Sequence, residues 1–587
     1  MGDEIINPGF LQSQWLNYRH LHLLLEPIAF IVTLGFLLAA RYAFSWGLYH
    51  KVHVFRTDKR VPPTLPYIFP LLGNAIPFAF DSEKFIKKAT QYAGSLVPVR
   101  LSVIFGEIFL FQGPENVAAV WKEPRLGSPI WIYIFALEYV FNMPKHALVP
   151  YRADNSGSHR KPHPQSNVLA HNRVDFLTHM QLFKVFGGTG LNTSFKRCAS
   201  ILKHKLDSLP ISTEEWTEMP GLYSFFQNQL GAAVLEGLYG PSLTEISPQF
   251  LDDLWIFDRA TPKFAKRFPR FLMPDAYRAR ERLLASIQRW YLHARAHFRE
   301  SDIGPDGDAD PFWGSELVRS RQKVLLAVDR QDDKALAAAD LGLIWASVTN
   351  VVPSSMMCAL HIFRSPGLCD RLRASLSDTV DASDGHIDMD KVLRKPLLSS
   401  VYAETLRLHL QAYVTRSSPH ADVKLASWWL PKNRLCMVNT YASHMDAGFW
   451  NTRDGTYPVE SFWAERFLID PNDPKSGPVR HGIPNSQYTR PAAPPKTDQG
   501  NDEPFFSVEG LEGAWIPYGG GYAACPGRHF AKRIIFYTTS TLLSMFDVQI
   551  LTDELDWDSS SFGLGTQKPK QQIRFRIKKR ASTVLLR

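Results

Sequence analysis

The sequence predicts a mainly α protein with a small β subdomain. Phe176 to Leu343 keeps a helical apolar period, broken at Pro210, Pro220, Pro269 and Pro305. Lys334 to Phe363 is a long apolar helix pattern. Strand patterns occur early, at Val97 to Phe105 and Glu107 to Gln112 around a turn at Gly106, and the tail Asp547 to Lys579 alternates as a terminal hairpin does.

The chain has 587 residues, enough for one large domain plus appendages, and 45% are hydrophobic, which excludes disorder throughout. Its five cysteines are scattered and odd in number, against a secreted disulfide framework. The formal charge of +9 is spread along the chain, with no arginine-rich arm and no zinc-finger spacing, so nucleic acid is not expected as a partner.

Residues 1–20 form a short polar leader. Residues 21–49 are apolar, apart from Glu26 near one end and Arg41, and Trp46 and Tyr49 suit an interfacial belt. The run exceeds the roughly 20 residues that cross about 30 Å of hydrocarbon, which predicts a transmembrane anchor. Lys51, Arg56, Lys59 and Arg60 follow, so the C-terminal side is expected in the cytosol. Residues 50–70 then make a basic hinge containing the stiff Pro62-Pro63-Thr-Leu-Pro66 elbow, and residues 71–587 are left for the main domain.

Within that domain, Asp81 to Ala93 reads as an amphipathic helix and Pro114 to Lys122 as a short one. Pro144 to Arg173 is polar and reads as a long loop. Aromatic clusters such as Tyr223 to Phe226 and Trp255 to Phe257 read as core. Residues 470–512, rich in Pro, Asn, Asp and Gly, read as a surface insertion.

Chemistry concentrates at Trp515-Ile-Pro-Tyr518-Gly-Gly-Gly521-Tyr-Ala-Ala-Cys525-Pro-Gly527, before a helical run from Arg528. Three glycines let the backbone come close to something flat. No second cysteine or histidine lies at zinc-like spacing. A lone thiolate at a helix N-terminus suits an axial position of a haem iron, and the helix dipole is expected to lower its pKa.

This loop resembles the haem-ligand loop of the cytochrome P450 superfamily, Phe-x-x-Gly-x-Arg-x-Cys-x-Gly. Tyr518, Gly521, Cys525 and Gly527 stand at matching positions, and Ala523 departs from the usual basic residue. Two further motifs precede it in the superfamily's order: Glu404-Thr-Leu-Arg407, and Ala-Glu-Arg466-Phe467. The resemblance implies a haem lying between a long distal helix and a proximal cysteine loop. It implies haem b with Cys525 as axial ligand, a buried ionic lock of Glu404, Arg407 and Arg466, and Arg416 at a haem propionate, with His444 at a weaker propionate position. The family's Trp-x-x-x-Arg pair is not found near Pro144 to Arg173.

On the distal helix the superfamily's Ala/Gly-Gly-x-Asp/Glu-Thr is replaced by Ala346-Ser-Val-Thr349-Asn350. Thr349 stands for the acid and Asn350 for the threonine. This variant resembles the branch that includes cholesterol 7α-hydroxylase and prostacyclin synthase. Pro353 cannot donate to the Thr349 carbonyl, so a kink is expected, with Asn350, Thr349 and a water as the oxygen-side relay. The resemblance implies a membrane-anchored monooxygenase of the endoplasmic reticulum. It would take NADPH electrons through NADPH-cytochrome P450 reductase, with cytochrome b5 as a further donor, and oxidise a lipophilic terpenoid, steroid or polyketide. The alternatives are a reductase-independent peroxide isomerase or dehydratase, and a non-catalytic haem-binding membrane protein.

Overall fold

The computed structural model describes residues 27–46, 60–69, 71–92, 94–104, 106–381, 385–483, 488–492 and 503–580. The expected polar leader, Glu26, Tyr49, Lys51, Arg56, Lys59 and part of the 470–512 insertion lie outside the described residues. The chain divides into two compact units, one holding the chain to Leu110 with Ser427–Trp429, the other Phe111–Ala426 with Leu430 onward.

In the first unit, Pro27–Trp46 is a 20-residue apolar helix, long enough to cross a membrane and almost wholly unburied. Arg41 donates to Tyr67 Oη at 2.8 Å. The proline elbow is packed: Pro62 and Pro63 are buried or nearly so, and the elbow exchanges backbone bonds with a strand, Leu65 N to Arg100 O and Arg100 N to Pro63 O, both 2.8 Å. Helices Ala75–Phe80 and Ser82–Tyr92 follow. Val99–Val103 pairs antiparallel with Gly106–Phe111, Val99 facing Leu110, so the two expected strands form, but Gly106, expected as the turn, starts the second strand opposite Val103.

In the second unit, Pro114–Lys122 is helical with Pro at its first turn, where the missing N–H costs nothing. The expected loop Pro144 to Arg173 is more ordered than its composition suggests. It holds short helical turns at Lys145–Ala147 and Leu148–Ala153, and buried Arg173 donates to the carbonyls of His159 and Arg160. Long helices Gly190–Asp207, Phe250–Ala265 and Pro274–His297 follow, and Phe225, Phe226, Trp255 and Phe257 are core. Thr217–Met219, inside the region read as helical, is instead a strand. It edges the sheet in which Phe546–Ile550 pairs with Phe575–Lys579, the predicted terminal hairpin.

The long apolar helix predicted over Lys334 to Phe363 is two helices, Asp333–Val348 and Val351–Phe363, parted at Thr349 and Asn350. Pro353 explains the break: it has no N–H for the Thr349 carbonyl, and the next bond runs from Ser354 N to Asn350 O at 3.3 Å. All of Val351–Leu360 is buried, packed against Arg528–Met545 and Pro396–His409. Leu410–Arg416 extends from the second of these and pairs with Leu435–Asn439 and Leu564–Thr566.

Candidate active site

The cysteine loop is shaped by what lies beneath it. Gly519 and Gly521 take φ of +68° and +67°, which side chains resist. Gly520 lies flat on Trp121, where a Cβ would stand 2.6 Å from the indole. Cys525 N donates to Tyr518 O at 3.0 Å, closing the turn, and Arg528–Met545 starts just beyond Gly527. Tyr518 Oη meets Tyr402 Oη at 2.8 Å, which ties the loop to the Pro396–His409 helix.

Cys525 sits among surrounding protein, and the surface it leaves accessible faces a cavity of about 530 Å³. Tyr518 and Gly527 line it on the cysteine side, Ala346, Ser347 and Asn350 on the kinked-helix side, and Arg416 stands at its wall. The volume falls in the range of cofactor sites, and the lining is mostly apolar. Burial pushes the Cys525 thiol up; the amides of Gly527 and Arg528 and the Arg528 guanidinium pull the other way without overcoming it. The expected lowering by the helix terminus is therefore not met by the protein alone.

Arg416 is buried and, among the described residues, has no carboxylate paired with it. It donates to the Gly520 and Ala523 carbonyls at 3.0 and 3.2 Å, and burial pushes its guanidinium down to about 10. A buried guanidinium without a counter-ion suits an acidic group of a cofactor. His444 does not line this cavity: its Nε2 accepts from Ile516 N at 3.1 Å, so it braces the loop.

The Trp-x-x-x-Arg spacing occurs earlier than expected, at Trp121 and Arg125. Arg125 turns away to Glu123, Nε to Oε1 2.7 Å, whereas Trp121 lies under both Gly520 and Arg416 with its buried indole N–H unbonded. The signal in the sequence was the Trp-x-x-x-Arg spacing itself, which falls before the Pro144 to Arg173 stretch where it was expected.

Asn350 and Thr349 part company at the kink. Asn350 lines the cysteine cavity, and its Oδ1 accepts from Thr566 N at 3.4 Å. Thr349 is buried, does not line that cavity, and donates its hydroxyl to Trp345 O at 2.8 Å. In the cysteine cavity the expected pair is therefore represented by Asn350 alone; Thr349 and Asn350 share only a smaller cavity beside the kink.

Below the loop, Glu404, Arg407 and Arg466 are brought together with no solvent access. Arg407 Nε and Arg466 Nε reach Glu404 at 2.7 and 2.9 Å. The arginines also bond the carbonyls of His444, Val459 and Asn451, fixing the chain that leads to the loop.

A family model described as "Cytochrome P450" matches residues 256–575. The chain is 34% identical over 532 residues to "Cytochrome P450 monooxygenase fsoE" of Humicola fuscoatra, covering 88% of each chain. The chain is a cytochrome P450. It is 30% identical over 550 residues to "Cytochrome P450 monooxygenase efuG" of Hormonema carpetanum, covering 92% of this chain and 93% of that one. It is 24% identical over 394 residues to "Cholesterol 7-alpha-monooxygenase" of Cricetulus griseus, covering 63% and 68%. A structure titled "Retinoic acid bound cyanobacterial CYP120A1" shares the cytochrome P450 fold, at a TM-score of 0.58 and 16% identity, over 89% of this chain and all of that one. As a cytochrome P450, the protein is a haem-thiolate monooxygenase whose electrons come from NADPH through a reductase.

Proposed function

We propose that Cys525 supplies the axial thiolate, that Arg416 and Trp121 face the haem's acidic edge, and that Asn350 stands on the oxygen side. The observation that carries this reading is one cavity faced by Cys525 and lined by Asn350 and Arg416 together. Haem ligated by a thiolate supplies dioxygen binding and O–O cleavage. The protein's own part is to hold the thiolate on a rigid loop, exclude water with apolar walls, and place a polar amide where a proton must arrive. An amide is a poor acid, so Asn350 orients a water that gives the proton and does not give it itself.

The substrate is a lipophilic terpenoid, steroid or polyketide, entering from the membrane. Support comes from the mostly apolar lining and from the apolar Pro27–Trp46 helix. That helix anchors the protein as a single pass in the endoplasmic reticulum, the catalytic part in the cytosol, where NADPH-cytochrome P450 reductase docks. The expected surface insertion over 470–512 is in part integral to the fold, since Phe505–Phe506 pairs with Leu468–Ile469 and Leu511 is buried.

The test is the carbon monoxide difference spectrum of the reduced, membrane-bound protein. The expected result is a strongly red-shifted Soret band that disappears in Cys525→Ala. A band retained in that variant refutes the ligand assignment. Turnover that needs no reductase would move the reaction to the peroxide isomerase class.

A further inference from the structure

The kink at Thr349 and Asn350 has a second, much smaller cavity on its other side. Asp258, Thr261, Trp345, Thr349, Asn350 and Lys568 line it, and its volume is about 10 Å³, close to what one water occupies. Asp258, on the Phe250–Ala265 helix, is only 3% exposed. Its Oδ2 lies 2.5 Å from Lys568 Nζ, and its Oδ1 accepts from Trp345 Nε1 at 2.9 Å. The Lys568 side chain keeps 14% exposure, which gives the pair a route to solvent.

A buried ion pair is weak as a stabiliser, because desolvation offsets the attraction; apolar residues of similar size often serve as well or better. The pair also abuts Asn350, which with Leu564 and Gly565 lines both cavities and is the one polar side chain of the three. Neither Asn350 nor Thr349 can ionise, and the Thr349 hydroxyl is turned to the Trp345 carbonyl. The kinked helix thus carries no acid at this point, while a neighbouring helix brings a carboxylate to the same place.

We infer that Asp258 and Lys568, with one water in the small cavity, deliver the proton to the Asn350 side of the cysteine cavity. The water gives a proton past Asn350 into the larger cavity. The hydroxide left behind is reprotonated by the Lys568 ammonium through the Asp258 carboxylate. Lys568 then takes a proton from solvent. One proton enters, one leaves, and each residue ends with its starting charge; the electrons come from NADPH through the reductase. Asp258 is a positioning residue, since it acts through the water. This inference rests on Asn350 standing on the oxygen side.

The experiment uses the full-length, membrane-bound enzyme with reductase. Variants are Asp258→Asn, Lys568→Met and the conservative Lys568→Arg. The carbon monoxide spectrum comes first; its absence from the wild type would be a failure of the proposed function and not of the relay. NADPH oxidation is then followed in H₂O and D₂O without added substrate, with hydrogen peroxide measured per NADPH. Asp258→Asn and Lys568→Met are expected to keep the spectrum, raise the peroxide share several-fold at the expense of water, and alter the solvent isotope effect, and Lys568→Arg, which keeps the charge but does not give up its proton, is expected to be impaired like Lys568→Met. A crystal structure of the ferric wild type is expected to show a water within hydrogen-bond distance of Asp258 and Asn350, and it decides the matter if the variants do not fold. A dry cavity, unchanged peroxide share and isotope effect, or Lys568→Arg indistinguishable from wild type would overturn the relay.

Discussion

Arg466 Nε bonds Glu404 Oε1 at 2.9 Å with neither side chain reaching solvent. Burial would push the Glu404 carboxyl up, but Arg407 and Arg466 outweigh it and hold it below the usual range. Two buried cations on one carboxylate make the lock intolerant of single changes. Glu404→Gln leaves both arginines uncompensated and is expected to cost about 3–5 kcal/mol, with loss of haem, because the same arginines hold the carbonyls leading to the cysteine loop. Chemical unfolding of the full chain and haem content per protein check this. A variant of wild-type stability would show the lock to be dispensable.

Gly520→Ala tests the floor of the loop. Its Cβ would meet Trp121 Cγ and Cδ1 at 2.6 Å, so the loop or the indole must move. Overpacking of this kind costs about 1–3 kcal/mol. The thiolate spectrum is expected to weaken, and Trp121→Leu in the same chain to restore part of it. If the double variant is simply additive, the two residues do not act through this contact.

Much of this arrangement was legible in the sequence, and the exceptions have physical reasons. The helix Pro114–Lys122, the Val99–Val103 hairpin and the terminal strand pair follow from local period and turn residues. Glu404, Arg407 and Arg466 could be grouped because their motifs come in a known order. Other contacts made far in sequence carried no such mark. Asp258 beside Lys568 and the strand Thr217–Met219 depend on tertiary pairing that overrides local propensity, whereas Trp121 under Gly520 did carry the Trp-x-x-x-Arg spacing, upstream of the stretch where it was expected. Thr349 and Asn350 are neighbours in the motif, yet they form the break between two helices, and there only Asn350 turns to the cysteine cavity.

Asn350 and Gly565 should behave as one unit. A Cβ on Gly565 would lie 2.1 Å from Asn350 Oδ1, so Gly565→Ala displaces the amide without removing it. Both Gly565→Ala and Asn350→Ala are expected to raise hydrogen peroxide released per NADPH while leaving the carbon monoxide spectrum in place. The double variant should be no worse than either. An unchanged ratio in Asn350→Ala would take this residue out of the reaction.

Acid should loosen the protein partly through His444. Burial, aided by Arg407, lowers its imidazole to about 3, while an unfolded histidine titrates near 6.5. Between those values the unfolded chain binds the extra proton, so this residue's contribution is fully present above pH 6.5 and lost as pH falls toward 3. The loss approaches about 1.4 kcal/mol per pH unit within that window. His409, lowered by burial to about 4, adds to it. Asp175, which burial pushes up to about 7, works the other way, since its folded form holds a proton that the unfolded form releases. The informative quantity is therefore the difference between wild type and His444→Gln, whose amide oxygen can still accept from Ile516 N. Unfolding midpoints taken from pH 7 to pH 5 should fall more steeply in the wild type than in the variant. Parallel slopes would mean that His444 is not held neutral beneath the cysteine loop.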